Sequence, residues 1–312
     1  MSALICGSLA YDTIMVFPER FKDHILPEKV HILNVSFTVP EMRRQFGGVA
    51  GNIAYNLKML GGDPFPMATV GDDFGPYQRR LESLDISTRY IRHLEGEFTP
   101  QAFITTDMDD NQITAFHPGS MAGSHLNKVS DTEGMTIGIV APDGRDAMMQ
   151  HSRDFERHGI PHIFDPGQAM TLFDADDLKT FIKQANWLVA NDYEFQLIRE
   201  RTGMNHAEVA AQLEALIITK GANGSRLITN GRDELIESVE PTAVMDPTGC
   251  GDAYRAGLIY GLQNNLDLVT SCRIGSLMGA LKVAVKGPQN HVHTLDEIVD
   301  RFRNAFGYSF IS

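Results

Sequence analysis

The sequence predicts an α/β protein with three layers: a mostly parallel central sheet flanked by helices, and a small separate β-sheet packed over it as a lid. From about residue 136, short apolar segments alternate with segments of helical spacing, which is typical of a parallel sheet covered on both faces. Two earlier segments, 101–106 and 112–116, flank a polar Asp-Asp-Asn turn and predict a hairpin. A β-branched, alternating segment at 30–39 predicts a further strand outside the parallel rhythm. We assign these early strands to the lid.

The elements of the main sheet follow, in chain order, from their periodicity and from the glycines that end them. Residues 4–7 are apolar and end at a glycine, so they predict a first buried strand. Residues 50–60 have helical spacing, and the Gly61-Gly62 pair predicts the end of that helix. Further strands are predicted at 67–70, 136–140, 162–164, 187–190 and 216–219. Further helices are predicted at 74–84, between the later strands, and at 251–263, 269–285 and 295–306.

Length and composition favour one globular domain over residues 1–312, with the lid formed mainly from about 12–45 and 97–118. The chain is 43% hydrophobic and 21% charged, and no linker-like stretch divides it. Its net charge of −13 argues against a nucleic-acid partner, because an acidic surface repels phosphates. Three cysteines are too few for a disulfide framework. No signal peptide or membrane-length apolar run is seen, so we expect a cytoplasmic protein with no membrane partner.

The most informative stretch is the glycine-rich turn Gly249-Cys250-Gly251-Asp252, which opens a predicted helix. Such a turn points backbone N–H groups at one spot, and the helix dipole adds to them, so an anion is favoured there. A carboxylate beside this anion hole can accept a proton from an attacking hydroxyl, as phosphoryl transfer requires. The plainer alternative is an ordinary helix start with Asp252 as a favourable acid. Tyr254 rules out a dinucleotide fingerprint, and no P-loop string occurs.

A second candidate site lies near the start of the chain. The Gly47-Gly48 pair lets the backbone approach a ligand closely, and Asn52 offers donors and acceptors that suit sugar hydroxyls. Asp12 follows the first strand and is able to accept hydrogen bonds from a vicinal diol. The alternatives are a loop with a solvent-facing Asn52 and a turn residue at Asp12.

Two further motifs follow predicted strands. Asn191 and Glu194 lie three apart at a helix start, where they either orient water around Mg²⁺ or form an ordinary helix cap. The segment Thr219-Lys220-Gly221, with Gly224, either wraps a nucleotide or makes a tight turn between strands.

Together and in this order, the motifs resemble the ribokinase-like (PfkB) family of carbohydrate and nucleoside kinases. The likeness covers nearly the whole chain. Its first part is the series Gly47, Gly48, Asn52, Gly61 and Gly71. Its second and more specific part is the segment Asp246-Pro247-Thr248-Gly249-Cys250-Gly251-Asp252. Within the family, the strings GSLAYDTI, FGGVAGNIAYNL and KGPQNH are similar to those of bacterial adenosine kinase-like proteins.

The resemblance implies a ribokinase-like fold and ATP-dependent phosphorylation of the 5′-hydroxyl of adenosine or a related nucleoside. It implies that Asp252 is the base and that the turn Gly249-Cys250-Gly251-Asp252 forms the anion hole. It assigns the acceptor to Asp12, Gly47, Gly48 and Asn52. It implies that Thr219, Lys220, Gly221 and Gly224 bind ATP. It implies that Asn191 and Glu194 hold Mg²⁺ through water. Members often bind K⁺ beside the anion hole, and Asp246 and Thr248 match one half of that site.

Three aromatic residues and two alternative activities bear on the identity of the acceptor. Phe37, Phe103 and Phe116 fall on predicted lid strands, where alternation either aims them at a nucleoside base or leaves them to pack the lid. A ribose- or fructose-type sugar kinase is the first alternative, and a non-catalytic nucleoside- or sugar-binding protein is the second. Two residues depart from the family pattern: Cys250 replaces a usual alanine, and Gln112 replaces a frequent lid arginine. A homodimer formed through the lid is left open.

Overall fold

The computed structural model describes residues 1–25, 34–109, 111–229 and 231–311, and within them thirteen strands form two sheets. In chain order the strands are β1 (Ser2–Cys6), β2 (Ala10–Val16), β3 (Glu41–Gly47), β4 (Asp63–Val70), β5 (Tyr90–His93), β6 (Gln101–Thr106), β7 (Gln112–His117), β8 (Met135–Val140), β9 (His162–Phe164), β10 (Trp187–Asn191), β11 (Ala215–Thr219), β12 (Ser225–Thr229) and β13 (Arg232–Ile236). The main sheet has the order β13-β12-β11-β10-β9-β8-β1-β4-β5, and the small sheet has the order β3-β2-β6-β7.

The main sheet is parallel except at one edge, where β12 and β13 form an antiparallel hairpin beside β11. Its central strands are buried on both faces, as parallel strands covered by helices must be. In β1, Ala3 and Ile5 face one apolar core while Leu4 and Cys6 face the other. The predicted α/β class with a mostly parallel sheet and a β lid is confirmed.

Ten α-helices lie within the described residues: α1 (Phe21–His24), α2 (Val49–Met59), α3 (Gly75–Ser83), α4 (Arg145–His158), α5 (Ala175–Gln184), α6 (Asp192–Thr202), α7 (His206–Ala210), α8 (Cys250–Gln263), α9 (Leu268–Val283) and α10 (Leu295–Phe306). Helices α2, α3, α8, α9 and α10 share one core with the sheet, and α4 to α7 share the other. Helices α8 and α9 pack closely at Gly257, where an added Cβ would lie 2.5 Å from the Gly275 nitrogen. Across the same described residues, no helix has the length and apolar character needed to cross a bilayer.

The lid sheet differs from the prediction at two strands. Residues 34–39 form no strand, residues 30–33 lie outside the described part of the chain, and the actual strand is β3. The prediction at 30–39 is therefore wrong for its described part. The reason is that β3 is largely exposed and carries the polar sequence EMRRQFG, so it lacks the apolar alternation that marks a half-buried strand. Strand β2, which crosses the lid from Ala10, was not predicted either.

The order of the main sheet creates a crevice at the carboxyl ends of β1 and β8. These two strands are neighbours, but the chain leaves β1 towards β4 and leaves β8 towards β9, on opposite sides. Ligands of open α/β sheets bind at such a switch point, because the loops there diverge. The lid begins directly after β1, so its strands stand beside this crevice.

Candidate active site

The turn that opens α8 has the geometry expected of an anion site. Gly249 caps the helix in the left-handed conformation, with φ 81°, and Asp252 lies in the first turn. The first intrahelical bond runs from Ala253 N to Gly249 O, at 2.9 Å. The N–H groups of Gly251 and Asp252 precede that bond and have no intrahelical acceptor, so they are available to an anion.

Asn52 meets Asp252 across the interface between α2 and α8. Its Nδ2 donates to Oδ2 of Asp252 at 2.8 Å. Gly48 opens α2 with φ 82°, and an added Cβ there would lie 2.5 Å from Ala10 N, so only glycine fits this approach to β2. Two motifs that the sequence placed in separate sites are therefore parts of one site.

Two residues that sequence reasoning missed hold the Asn52 amide in place. Gln289 Nε2 donates to Asn52 Oδ1 at 3.0 Å and to the Tyr77 hydroxyl at 2.7 Å. The Tyr77 hydroxyl in turn donates to Gly47 O at 2.8 Å. Since the Asn52 oxygen is occupied by a donor, its NH₂ group faces Asp252. The only sequence signal for Gln289 was its place in the KGPQNH string, which gave no role to that residue.

The environment of Asp252 favours a carboxylate that accepts a proton near neutral pH. Its pKa is raised to about 6, mainly because burial disfavours the charged form. The hydrogen bond from Asn52 and the charge of Arg255 lower this pKa, whereas the charges of Asp165 and Asp12 raise it. A base is most effective when its pKa lies near the working pH, so this environment suits general-base catalysis.

A buried ion pair lies behind the turn Gly249 to Asp252, which we call the anion turn. The sequence gave no sign of this pair. Arg255 lies one turn into α8, and its Nη1 donates to Gly251 O at 3.1 Å. Its Nε and Nη2 both donate to the Asp165 carboxylate, the second at 2.6 Å. Asp165 directly follows β9, so the pair joins the end of a central strand to the anion turn. Both side chains are less than a tenth exposed.

Asp12 lies on the lid side of the same site. An added Cβ on Gly47 would lie 2.8 Å from Asp12 Oδ2, so the Asp12 carboxylate lies directly against this glycine. Burial, with the charge of Asp246, raises the pKa of Asp12 to about 6. The structure therefore brings together the four residues that the sequence assigned to the acceptor, namely Asp12, Gly47, Gly48 and Asn52.

The lid aromatics do not share one face. Strand pairing aligns Asp12 with Ala102 and Ala102 with Phe116, so Phe116 and Asp12 point to the same side. Phe103 pairs with Thr13 and points to the opposite side, where it is 40% exposed. Phe103 thus has the opposite parity to Asp12 in the lid sheet, and its assignment to the acceptor site stays a prediction.

The third lid aromatic packs within the lid. The ring of Phe37 lies 4.7 Å from that of Phe17 and 5.1 Å from that of Phe21, centroid to centroid. Lid packing, the alternative left open by the sequence, is therefore the arrangement of Phe37.

The motifs assigned to ATP lie at the ends of neighbouring strands. Asn191 ends β10, Thr219 ends β11, and the two residues pair directly in register. Asn191 and Glu194 cap α6 reciprocally, each side chain accepting the backbone N–H of the other at 2.8 Å. This cap occupies Oε2 of Glu194, and burial with the charge of Asp165 raises the pKa of the Glu194 carboxyl. The capping interpretation is thus realised, and it leaves Oε1 for another partner.

The loop after Thr219 makes a tight turn into the β12–β13 hairpin. Lys220 N donates to Gly224 O at 2.8 Å, and Gly221 is exposed with φ 55°. Gly224 has φ 78°, and an added Cβ would lie 2.1 Å from Ile236 O. A strand contact therefore accounts for the glycine at 224, while Gly221 remains open to a ligand.

Asp246 begins the segment that leads into the anion turn. Its two carboxylate oxygens accept the N–H groups of Thr248, at 2.9 Å, and Gly287, at 2.8 Å. Its own carbonyl oxygen accepts a hydrogen bond from the Lys282 ammonium at 2.7 Å. Within the described residues, no cluster of three histidine, cysteine or acidic side chains is arranged to hold a metal ion directly.

This constellation occurs in a chain that matches a known family over most of its length. The sequence profile of the pfkB family carbohydrate kinases matches residues 9–295. The chain belongs to the pfkB family. The family predicted from the glycine motifs is thereby confirmed.

Similar pfkB proteins include several nucleoside kinases. The nucleoside kinase of Methanocaldococcus jannaschii is 32% identical over 88% of this chain and 91% of its own. The structure of Burkholderia thailandensis nucleoside kinase in complex with inosine is 48% identical, with TM-score 0.89, and the match covers 98% of this chain and 99% of that one. The same kinase in complex with ADP-inosine gives TM-score 0.87 at 49% identity, covering 98% and 97% of the two chains.

A cavity of about 550 Å³ lies elsewhere on this pfkB chain, against α6 and α7. Phe195, Arg199, His206 and Lys220 are among its lining residues. The residues around Asp252 do not border it, whereas Lys220, one of the residues that the resemblance assigned to ATP, does.

Proposed function

We propose that this chain is a nucleoside kinase that uses ATP to phosphorylate the 5′-hydroxyl of a purine nucleoside, with adenosine as the acceptor predicted from the sequence. The observation that carries the proposal is the hydrogen bond between Asn52 and Asp252 at the start of α8. It puts a hydroxyl-binding amide and a candidate base side by side, next to free helix N–H groups. A site that only binds a nucleoside has no need of such a base.

In the proposed reaction, the 5′-oxygen of the nucleoside attacks the γ-phosphorus of ATP while the bond from that phosphorus to the β–γ bridging oxygen breaks. The proton of the 5′-hydroxyl passes to the Asp252 carboxylate, and ADP leaves. The N–H groups of Gly251 and Asp252 stabilise the charge on the phosphoryl oxygens during transfer. Arg255 supports this turn through its bond to the Gly251 carbonyl.

Mg²⁺ would neutralise the phosphate charge of bound ATP. The residues present fit a water-mediated site, because Glu194 keeps only one oxygen free of its helix cap. Asn191 and Thr219, at adjacent strand ends, are the proposed neighbours of the phosphates and the nucleotide, with Lys220 and Gly221 following them. Gly224 drops out of this set, since its backbone role is explained without a ligand.

The acceptor side is formed by Asp12, Gly47, Gly48 and Asn52, with Phe116 on the same lid face as Asp12. We propose that Asp12 and Asn52 bind the ribose hydroxyls and that Phe116 covers the base. The inosine complex of the Burkholderia thailandensis kinase supports a purine nucleoside as the ligand class. Adenosine and inosine differ at the base edge, and we infer no preference between them from the residues around Asp12.

An acceptor screen tests the proposal directly. Adenosine, inosine, uridine, ribose and fructose would be compared by kcat/KM with ATP as donor, and we expect a purine nucleoside to rank first. The 2′-deoxynucleoside should be poorer by about 10-fold or more, because a site built for a hydroxyl leaves a buried group unpaired without it. Preference for ribose or fructose would make this chain a sugar kinase instead. Binding without turnover of any acceptor would favour a non-catalytic binding protein.

A further inference from the structure

Lys282 is a fully buried lysine in the last turn of α9, with 0% of its side chain exposed. Lysine is rarely buried so completely unless its charge is compensated. Its Nζ donates to Asp246 O at 2.7 Å and to Val285 O at 3.0 Å. Oδ2 of Asp246 lies 3.9 Å away. The ammonium is thus surrounded by two backbone carbonyls and one carboxylate.

This oxygen set is of the kind that binds a free monovalent cation. Backbone carbonyls replace the hydration shell of K⁺, and a carboxylate balances its charge. The C-terminal end of a helix adds further attraction for a cation. The Lys282 ammonium carries the same single positive charge as K⁺, and it has three hydrogen-bond donors. Because its ammonium already holds the Asp246 and Val285 carbonyls, these residues do not fit a K⁺ ion in addition.

The ammonium joins the end of α9 to the segment before the anion turn. Met245 N and Asp246 N both donate to Val283 O, at 2.8 and 3.1 Å, so this segment lies along the helix end. The Asp246 carboxylate accepts hydrogen bonds from the N–H groups of Thr248 and Gly287. The carbonyl that Lys282 holds thus belongs to the residue from which the turn Gly249 to Asp252 is built.

We propose that Lys282 is a built-in monovalent cation that fixes the Asp246 segment beside the anion hole, so that this kinase works without free K⁺. The sequence matched the Asp246–Thr248 segment to half of a K⁺ site. In this protein the Lys282 ammonium takes the place of that cation. The activity tests rest on the proposed nucleoside kinase function, whereas the melting tests do not.

The first test compares the wild-type protein in KCl, NaCl and choline chloride at equal ionic strength. We expect kcat with a purine nucleoside to change by less than about twofold, and the melting temperature to be the same in the three salts. A loss of 10-fold or more in choline chloride, or a clear rise in melting temperature with KCl, would show a free-cation site and overturn the proposal. If no nucleoside is phosphorylated, the melting series still decides the role of Lys282.

The second test removes the ammonium in two ways. Lys282→Ala leaves space for a small cation, whereas Lys282→Met fills the space with an apolar chain of similar length. We expect both variants to lose about 10-fold or more in kcat and to melt lower. KCl, ammonium or methylamine should restore part of the activity and melting temperature of Lys282→Ala but not of Lys282→Met. Lys286→Met, at an exposed lysine four residues on, is the control and should behave like wild type.

Wild-type kcat in Lys282→Ala at low salt would overturn the proposal. So would a folded Lys282→Ala variant whose loss no monovalent cation or small amine repairs, because Lys282 would then be an ordinary packing residue. If neither variant folds, the wild-type salt series decides, since it asks directly whether the native site takes a free cation.

Discussion

At the scale of single residues, the proposed chemistry depends on Asp252 and on the groups that set its protonation. Burial raises the pKa of Asp252 to about 6, so the folded protein binds this proton more tightly than the unfolded chain does. The free energy of unfolding therefore falls as pH rises from about 4, the pKa of an aspartate in an unfolded chain, to about 6, and it stays lower above that pH. The same desolvation that makes Asp252 a better base also lowers the free energy of unfolding of the protein.

We expect Asp252→Asn to lower kcat by about 10²–10⁴-fold, because the amide cannot accept the proton. At pH 8 its free energy of unfolding should be equal to or higher than that of wild type, by up to about 3 kcal/mol, since the charging cost disappears. The gain should shrink at pH 5, where wild-type Asp252 is mostly protonated. Urea unfolding at the two pH values and steady-state kinetics check this. An active variant that is less stable would instead indicate a simple helix-start acid.

The hydrogen bond from Asn52 should be visible in the pH dependence of kcat/KM, which reports the free enzyme. Wild-type kcat/KM should rise with pH through about 6 as Asp252 ionises, and then level off. In Asn52→Ala the rise should move to higher pH, because the bond that lowers the pKa of Asp252 is lost. In Asp12→Asn it should move to lower pH, because a charge that raises this pKa is removed. A profile unmoved by both changes would contradict the assignment of the base.

At the scale of elements, the start of α8 is held from behind by the Asp165–Arg255 pair. This pair connects the end of β9 to the anion turn, and it is buried from solvent. A buried pair contributes little net stability compared with an apolar replacement, but removal of one partner leaves an uncompensated charge. The pair therefore fixes the position of the turn more than it stabilises the fold.

We expect Arg255→Leu alone to lower the free energy of unfolding by about 3–5 kcal/mol, because Asp165 then remains buried and unpaired. The double variant Asp165→Leu with Arg255→Leu should recover much of this loss. Arg226→Leu is the matched control: its partner Asp233 lies on the exposed β12–β13 hairpin, so the cost should stay below about 1 kcal/mol. Urea unfolding measures all three. Equal losses in Arg255→Leu and Arg226→Leu would show that burial of the first pair has no consequence.

At the scale of the whole molecule, the proposed site divides into a proposed acceptor side and a proposed nucleotide side. Asp12 and Asn52 come from the lid and α2, whereas Asn191 and Thr219 come from the ends of β10 and β11. The turn at the start of α8 belongs to neither strand group and is the proposed meeting point of the two substrates. A topological switch point explains this division, because loops diverge there to opposite sides of the sheet.

This division predicts that affinities for the two substrates can be changed separately. Asp12→Ala should weaken binding of a purine nucleoside by about 10–100-fold and leave ADP binding within about twofold. Thr219→Val, which removes a hydroxyl at nearly constant shape, should weaken ADP binding by about 3–10-fold and spare the nucleoside. Isothermal titration calorimetry measures both. A variant that weakens both ligands equally would place its residue on the wrong side of the site.

The sequence by itself determined the fold class and the family, and it located the glycine-rich turn Gly249 to Asp252 at the start of a helix. Strand–helix alternation is a local pattern, so it located the parallel sheet. The glycines at 48 and 249 were visible because positions with positive φ exclude most other residues. Lid strand β3 was not predicted, because an exposed strand carries no apolar alternation.

Only the tertiary structure decided how these parts meet. Asn52 contacts Asp252 across 200 residues of chain, and Asp165 contacts Arg255 across 90. Lys282 gave no sequence signal at all, since a lysine in a helix normally faces solvent. Periodicity records which face of an element is apolar, but it does not record which polar groups from distant elements share a buried space. Packing of α2, α8 and α9 on one face of the sheet settles that, and with it the candidate chemistry of this protein.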